Sequence, residues 1–240
     1  AESGGSAGPA EPLPESRTGL TVLVDGLPRE EIAYAEETTE EGRTSLTVKL
    51  DSGRLNVYLA ESGSDARVLI PVSKETDEVS AELDGETVRA LLEKRAEVEI
   101  RTPRGSYTLP ASAVGIDRLA ARFGEETKPE DIRVRVLIRS GDAEALNRLK
   151  AAGEREGFGV VASPVEFEAT ASHGGQTIAL DRYGAFVRRE IPLPEGATAG
   201  RSMTAVVLGE DGSVRHAPTT METRDGKTYA VVHSLADSTY

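Results

Sequence analysis

"SPVEFEATASHGGQTIAL", Ser163–Leu180, is where the character of the chain changes. Val165, Phe167, Ala169 and Ala171 alternate with Glu166, Glu168, Thr170 and Ser172, the two-residue period of a strand with one buried face. Gly174-Gly175 then supplies a turn, and "QTIAL" reads as the returning strand. Downstream, "AFVRREIPLPEG", "TAVVLGEDGSVRH" and "METRDGKTYAVVHS" repeat the pattern of short strands broken by Gly-containing turns. That spacing predicts an all-β, sandwich-like domain over 164–240.

Upstream of Ser163 helices and strands are mixed. "IRVRVLIRS", Ile132–Ser140, is a strand with Ile132, Val134, Val136 and Ile138 on one face and arginines at 133, 135 and 139. "DAEALNRLKAAGEREG" follows as a helix, supported by Glu144 and Arg148 four residues apart. "GETVRALLEKR" is a second helix, with Val88, Leu91 and Leu92 on one stripe and Asp84 as its cap. "DSGRLNVYLAESG" is a third, capped by Asp51 or Ser52, and "IDRLAARFG" a short fourth. Strands are expected at "GLTVLVDGL" and "RTSLTVKL", with "EETTEEGR" between them as an acidic hairpin loop. Further strands fall at "ARVLIPVS", "EVSAELDG" and around "EVEIRTPRGSYTLP". The expected fold class is therefore α+β: an α+β N-terminal domain over 17–163, then the β-sandwich-like domain. Residues 1–16, "AESGGSAGPAEPLPES", lack apolar periodicity and read as a flexible linker.

Composition narrows the function classes. The 240 residues carry 28 Lys and Arg against 41 Asp and Glu, a net charge of −13 that repels nucleic acid and anionic lipid. With no cysteine, disulfides, thiol catalysis and cysteine-ligated zinc are excluded. No apolar run approaches the roughly 18 residues of a membrane span, so no membrane insertion is expected. The start lacks a basic segment followed by an apolar one, as a mature exported chain also would.

The motif matches fail on context. "GGSAG", Gly4–Gly8, has the spacing of a nucleophile elbow without the flanking strand and helix. "GFGVVA", Gly157–Ala162, follows a helix and precedes a strand, the reverse of a dinucleotide site, and Gly157 reads better as a helix C-cap. His173, His216 and His233 lack metal-ligand spacing, and "REE", "EETTEE" and "GEE" lack the regular pattern of a calcium loop. In "YAVVHSLADSTY", His233 and Ser234 are neighbours on a strand and point to opposite faces, a poor geometry for a nucleophile and its base. No catalytic, cofactor-binding or metal-binding residue is assigned, and no cofactor is expected.

One resemblance goes further. "GLTVLVDG", "EVEIRTPRGSYTLPASAVGID", "PVEFEATASHGGQTIALDRYGAFVRREIPLP" and above all "GSVRHAPTTMETRDGKTYAVVHSLADSTY" resemble the region upstream of the S-layer homology repeats in surface proteins of Paenibacillus-type bacteria. The resemblance runs from about Gly19 to Tyr240. It implies an extracellular, cell-surface location and a non-catalytic structural or spacer role. It also implies contact with cell-wall polysaccharide through repeats absent from this chain, with other surface proteins as further partners. The C-terminal half faintly resembles the β-sandwich pair of netrin receptors and death-domain scaffolds, some of which cleave themselves. Their motif needs a His where Asp237 stands before Ser238. The alternative function is a carbohydrate- or ligand-binding surface module, for which Tyr34, Tyr58, Tyr107, Tyr183, Phe186 and Tyr229 are the candidate stacking platforms.

Overall fold

The computed structural model describes residues 17–180, 182–197 and 202–240. The strands are β1 (Arg17–Val24), β2 (Leu27–Glu40), β3 (Arg43–Leu50), β4 (Arg67–Pro71), β5 (Glu78–Asp84), β6 (Glu97–Thr102), β7 (Gly105–Pro110) and β8 (Arg133–Ser140). They continue with β9 (Val165–His173), β10 (Gln176–Ala179), β11 (Val187–Pro192), β12 (Ala205–Leu208), β13 (Val214–Ala217), β14 (Thr219–Arg224), β15 (Lys227–Ser234) and β16 (Ser238–Thr239). The helices are α1 (Ser52–Glu61), α2 (Gly85–Glu93), α3 (Ala111–Val114), α4 (Ile116–Phe123) and α5 (Ala143–Glu156).

Three helices start for one local reason. Asp51, Asp84 and Asp142 each end or follow a strand in extended conformation, and each side chain accepts the amide three residues on: Arg54 at 2.9 Å, Thr87 at 2.8 Å and Ala145 at 2.7 Å. Each bond satisfies one of the free amides of a helix's first turn. Gly157 closes α5 at φ 81, a conformation that glycine adopts without strain.

All sixteen described strands form one mixed sheet, in the order β13-β12-β16-β9-β8-β5-β3-β2-β1-β4-β6-β7-β11-β15-β14, with β10 also on β9. This corrects the expected α+β domain followed by a separate sandwich. The C-terminal strands do not stack on one another as two sheets. They extend the N-terminal sheet at both ends, because β8 and β7 each leave a row of backbone donors and acceptors open. β9 takes the first edge, from Arg133↔Ser172 to Ser140↔Val165, and β11 takes the second, from Arg188↔Thr108 to Glu190↔Ser106. The fold is β-rich throughout, with helices lying between strands of that sheet.

The expected acidic loop is also corrected. Glu36–Glu40 belong to β2, paired residue for residue with β3 down to Glu40↔Arg43, and the turn shrinks to Glu41-Gly42 at φ 51 and 80. Inside β2 a bulge at Glu31, φ 60, shifts the register against β1 and brings Ile32 into the core.

The sheet curls until β7 and β9, which share no ladder, face each other. The ring of Tyr107 lies 5.7 Å from that of Phe167, and Phe167 lies 6.1 Å from Tyr240. Gly105 makes the approach possible: a Cβ there would meet Glu190 O at 2.7 Å and the Phe167 ring at 3.2 Å. The curl encloses one apolar core, including Val22, Ile32, Val48, Ile70, Ile100, Val134 and Phe167. A smaller cluster, Ala145, Leu149 and Leu208, seats α5 against the β12–β13 hairpin.

Candidate functional site

The densest chemistry in the molecule lies where the sheet curls on itself. β11 alternates Val187, Arg189 and Ile191 inward against Arg188 and Glu190 outward, so its pairing with β7 and β15 drives a guanidinium into the core. Arg189 is 0% exposed. A buried cation needs a counter-charge nearby. Asp237, in the turn between β15 and β16, supplies it by pairing with Nη2 of Arg189.

Asp237 is also the hub for three further donors. Tyr107 of β7 donates to Oδ1 at 2.6 Å, and Tyr183, in the loop after β10, donates to Oδ2. The backbone amide of Ala169 in β9 donates to Oδ2 at 2.7 Å. The two phenol oxygens sit 2.7 Å apart. The guanidinium lies 5.0 Å from the centre of the Tyr107 ring and 5.7 Å from that of Tyr240, close enough for cation–π attraction, and its Nη1 donates to Val187 O at 3.3 Å. Four donors from β7, β9, β11 and the β10–β11 loop thus converge on one carboxylate.

The electrostatics keep these groups in one protonation state. Burial raises the Tyr107 phenol well above its ordinary range, and the Asp237 charge adds to this. Burial likewise pushes Tyr183 up, with Tyr107 and Asp237 contributing in the same direction. Burial works against the Arg189 charge, but Tyr107, Asp237 and Tyr240 outweigh it and hold the guanidinium protonated. Phenols held neutral donate hydrogen bonds; they do not act as bases or nucleophiles at neutral pH. The arrangement therefore does positional work, tying the last strand to three others.

β16 itself is short: it pairs with β9 through Ser238↔Phe167 and Thr239↔Glu166. Two more bonds continue this ladder, Tyr240 N–H to Val165 O at 2.9 Å and Val165 N–H to Tyr240 O at 2.8 Å. β9 changes partner along this edge, from β16 to β10, and Asp237 satisfies the Ala169 amide at the junction. A cleft of about 220 Å³ opens there between Phe167, Glu168, Ala179, Leu180 and Asp237. A second, of about 250 Å³, lies at the start of α5 beside Arg43, Arg139, Asp142 and Arg148. Both fall below the ~300 Å³ at which small-molecule pockets usually begin.

The outer faces of the sheet carry charge ladders. Glu190 is 3% exposed and takes Arg188 and Arg224, each at 2.6 Å, while Arg188 also reaches Glu222 at 2.6 Å. These arginines hold the Glu190 carboxyl below its ordinary range despite the opposing effect of burial. On β5, β8 and β9, Glu78 meets Arg135 at 2.7 Å and Arg139 meets Glu166 at 2.8 Å. Like the interior lock, each ladder ties neighbouring strands side to side.

The residues singled out in the sequence are scattered. His233 is exposed on the outer face opposite Arg188, and the hydroxyl of Ser234 donates to Ala236 O at 3.0 Å. Ser238 donates to the carbonyl of Asp237 at 2.5 Å. His173 lies 3.2 Å from Asp131 O and edge-on to Phe123, and His216 is exposed on β13. Among the described residues no three His, Asp or Glu side chains gather as a metal-binding group. No described helix is long and apolar enough to cross a membrane. "GGSAG" lies outside the described residues. Of the aromatic candidates, Tyr107 and Tyr183 are buried in the lock, whereas Phe186 is 62% exposed.

Asp237 was missed as the centre of the site because a turn carboxylate has no periodic signature. Arg189 did carry one: an arginine midway between inward-facing Val187 and Ile191 requires a buried acid. Comparison with protein-family models, with curated proteins and with solved structures finds no match to this chain.

Proposed function

We propose that this chain is a non-catalytic spacer module of a cell-surface protein, of the kind that precedes S-layer homology repeats. The observation that carries the reading is the lock on the final strand. A spacer must pass tension from its end into its body, and four donors from separate parts of the sheet hold Asp237 just before β16. The side-to-side charge ladders support the same role. In this reading the wall polysaccharide is held by repeats beyond this chain, and the module sets distance and stiffness.

Pulling on the chain between terminal handles in a force spectrometer tests this. The expected result is one cooperative unfolding event, at a force that Asp237→Asn lowers. Unfolding in several weak steps, or a force that Asp237→Asn leaves unchanged, refutes the role. A second reading, a carbohydrate-binding surface module, draws on the exposed Phe186 ring. Saturable binding to a glycan array, abolished by Phe186→Ala, favours it over the spacer.

A further inference from the structure

Most arginines of the described chain are matched with acids, as Arg95, Arg101, Arg139 and Arg188 are. Three that are not stand together. Arg118 and Arg122 lie one turn apart on α4, and Arg182 is in the loop between β10 and β11; all three are exposed. Two glycines bring the loop and the helix into contact. A Cβ on Gly184 would meet Nη2 of Arg118 at 3.3 Å, and a Cβ on Gly115, at φ 64, would meet the same atom at 2.8 Å. The Arg118 guanidinium is thus seated over bare backbone on both sides. Among the described residues, none of the three arginine side chains makes an ion pair or hydrogen bond. Asp117, the one acid on α4, pairs with none of them. Like charges four residues apart on a helix are themselves unfavourable.

The loop carries a second kind of group and is held in place. Phe186 is 62% exposed. Tyr183, between Arg182 and Gly184, is tied into the Asp237 lock, and its amide donates to Leu235 O at 2.9 Å. Val187, just past Phe186, is 0% exposed at the start of β11. Arg182 and Phe186 are each two residues from Gly184, at most about 7 Å of extended chain. Arg122 is about 6 Å along the helix axis from Arg118. Three unmatched guanidinium groups and one bare ring therefore share a small, pre-positioned surface.

We propose that this patch holds an acidic polysaccharide, with a carboxylate of the sugar chain on the Arg118 fork and a sugar ring on the face of Phe186. A guanidinium takes a carboxylate through two parallel hydrogen bonds, and an exposed aromatic face packs the C–H side of a sugar ring. A peptide would call for an open sheet edge or an apolar groove. Neither of the two clefts described above includes any residue of this patch. The inference rests on the second, carbohydrate-binding reading and names its ligand class.

Affinity electrophoresis of the full 240-residue chain through gels containing polygalacturonate, neutral dextran or polyglutamate reads it out. The expected result is retardation by polygalacturonate well above that by the other two. Arg118→Gln and Phe186→Ala are each expected to weaken it roughly tenfold, with unchanged circular-dichroism spectra. Arg215→Gln, which removes another exposed arginine without an ion pair, on β13, is expected to leave it as it was. Equal retardation by dextran overturns the acidic ligand but leaves the carbohydrate reading standing, whereas no retardation by either polysaccharide removes both. Equal retardation by polyglutamate replaces the sugar with an acidic peptide and overturns the proposal. So does an Arg118→Gln variant that migrates like the wild type.

Discussion

Replacing Asp237 by Asn tests the interior lock most directly. The substitution keeps the shape of the side chain and removes its charge. Arg189, 0% exposed, is left with the Val187 carbonyl at 3.3 Å and two aromatic faces, but no anion. Breaking one partner of a buried ion pair costs about 3–5 kcal/mol, because the other charge stays desolvated. The phenols offset little of this, since burial holds both Tyr107 and Tyr183 neutral and neither supplies an anion. For a chain of this length that loss lowers the thermal midpoint by roughly 10 °C. Arg189→Met alone is milder, because Asp237 keeps Tyr107, Tyr183 and the Ala169 amide as donors. The double variant removes both charges and is expected within ~1 kcal/mol of wild type, since a buried ion pair seldom outperforms well-packed apolar groups. Urea titrations of the four proteins give the coupling, expected at about 3 kcal/mol or more from these differences. An Asp237→Asn loss below ~1 kcal/mol, or strict additivity in the double variant, refutes the claim that the pair closes the fold.

Three other outcomes follow from the same geometry. Burial raises the folded pKa values of Tyr107 and Tyr183 above the ordinary phenol value of about 10, so their contribution is complete below pH ~10 and is lost as pH rises. Stability is expected to fall by about 1.4 kcal/mol per pH unit for each phenol above pH ~10, and Tyr183→Phe to flatten that slope in alkaline urea titrations. Gly85→Ala, favourable by helix propensity, is expected to destabilise the protein in thermal melts, because a Cβ there would lie 1.7 Å from the Pro129 carbonyl oxygen. His233→Ala is expected to change stability by less than ~0.5 kcal/mol in the same melts, its ring being exposed on the outer face.

Local periodicity reported local structure well and long-range pairing poorly. The alternation through Ile132 and β8 placed Ile132, Val134, Val136 and Ile138 in the core, where each is at most 1% exposed. Asp84 caps α2 and Glu144 meets Arg148 at 2.9 Å in α5, as their spacing implied. The far half of β2 was illegible because Glu37–Glu40 are exposed: it is held by backbone pairing to β3, which leaves no apolar pattern. The joining of β9 to β8 and of β11 to β7 left none either, for partner choice depends on which edges stand open. The lock was half legible. Arg189 announced a need for an acid, but nothing in "SLADSTY" identified Asp237 as the one that meets it.

The separation of the lock's members along the chain sets the order in which the molecule can mature. Arg189 leaves the ribosome 48 residues ahead of Asp237, and Tyr107 leads it by 130. Until the β15–β16 turn emerges, the nascent sheet must either keep the guanidinium hydrated, with β11 undocked from β7, or bury an unmatched cation. The sheet therefore stays pliable through most of its synthesis and stiffens when Asp237 reaches the guanidinium.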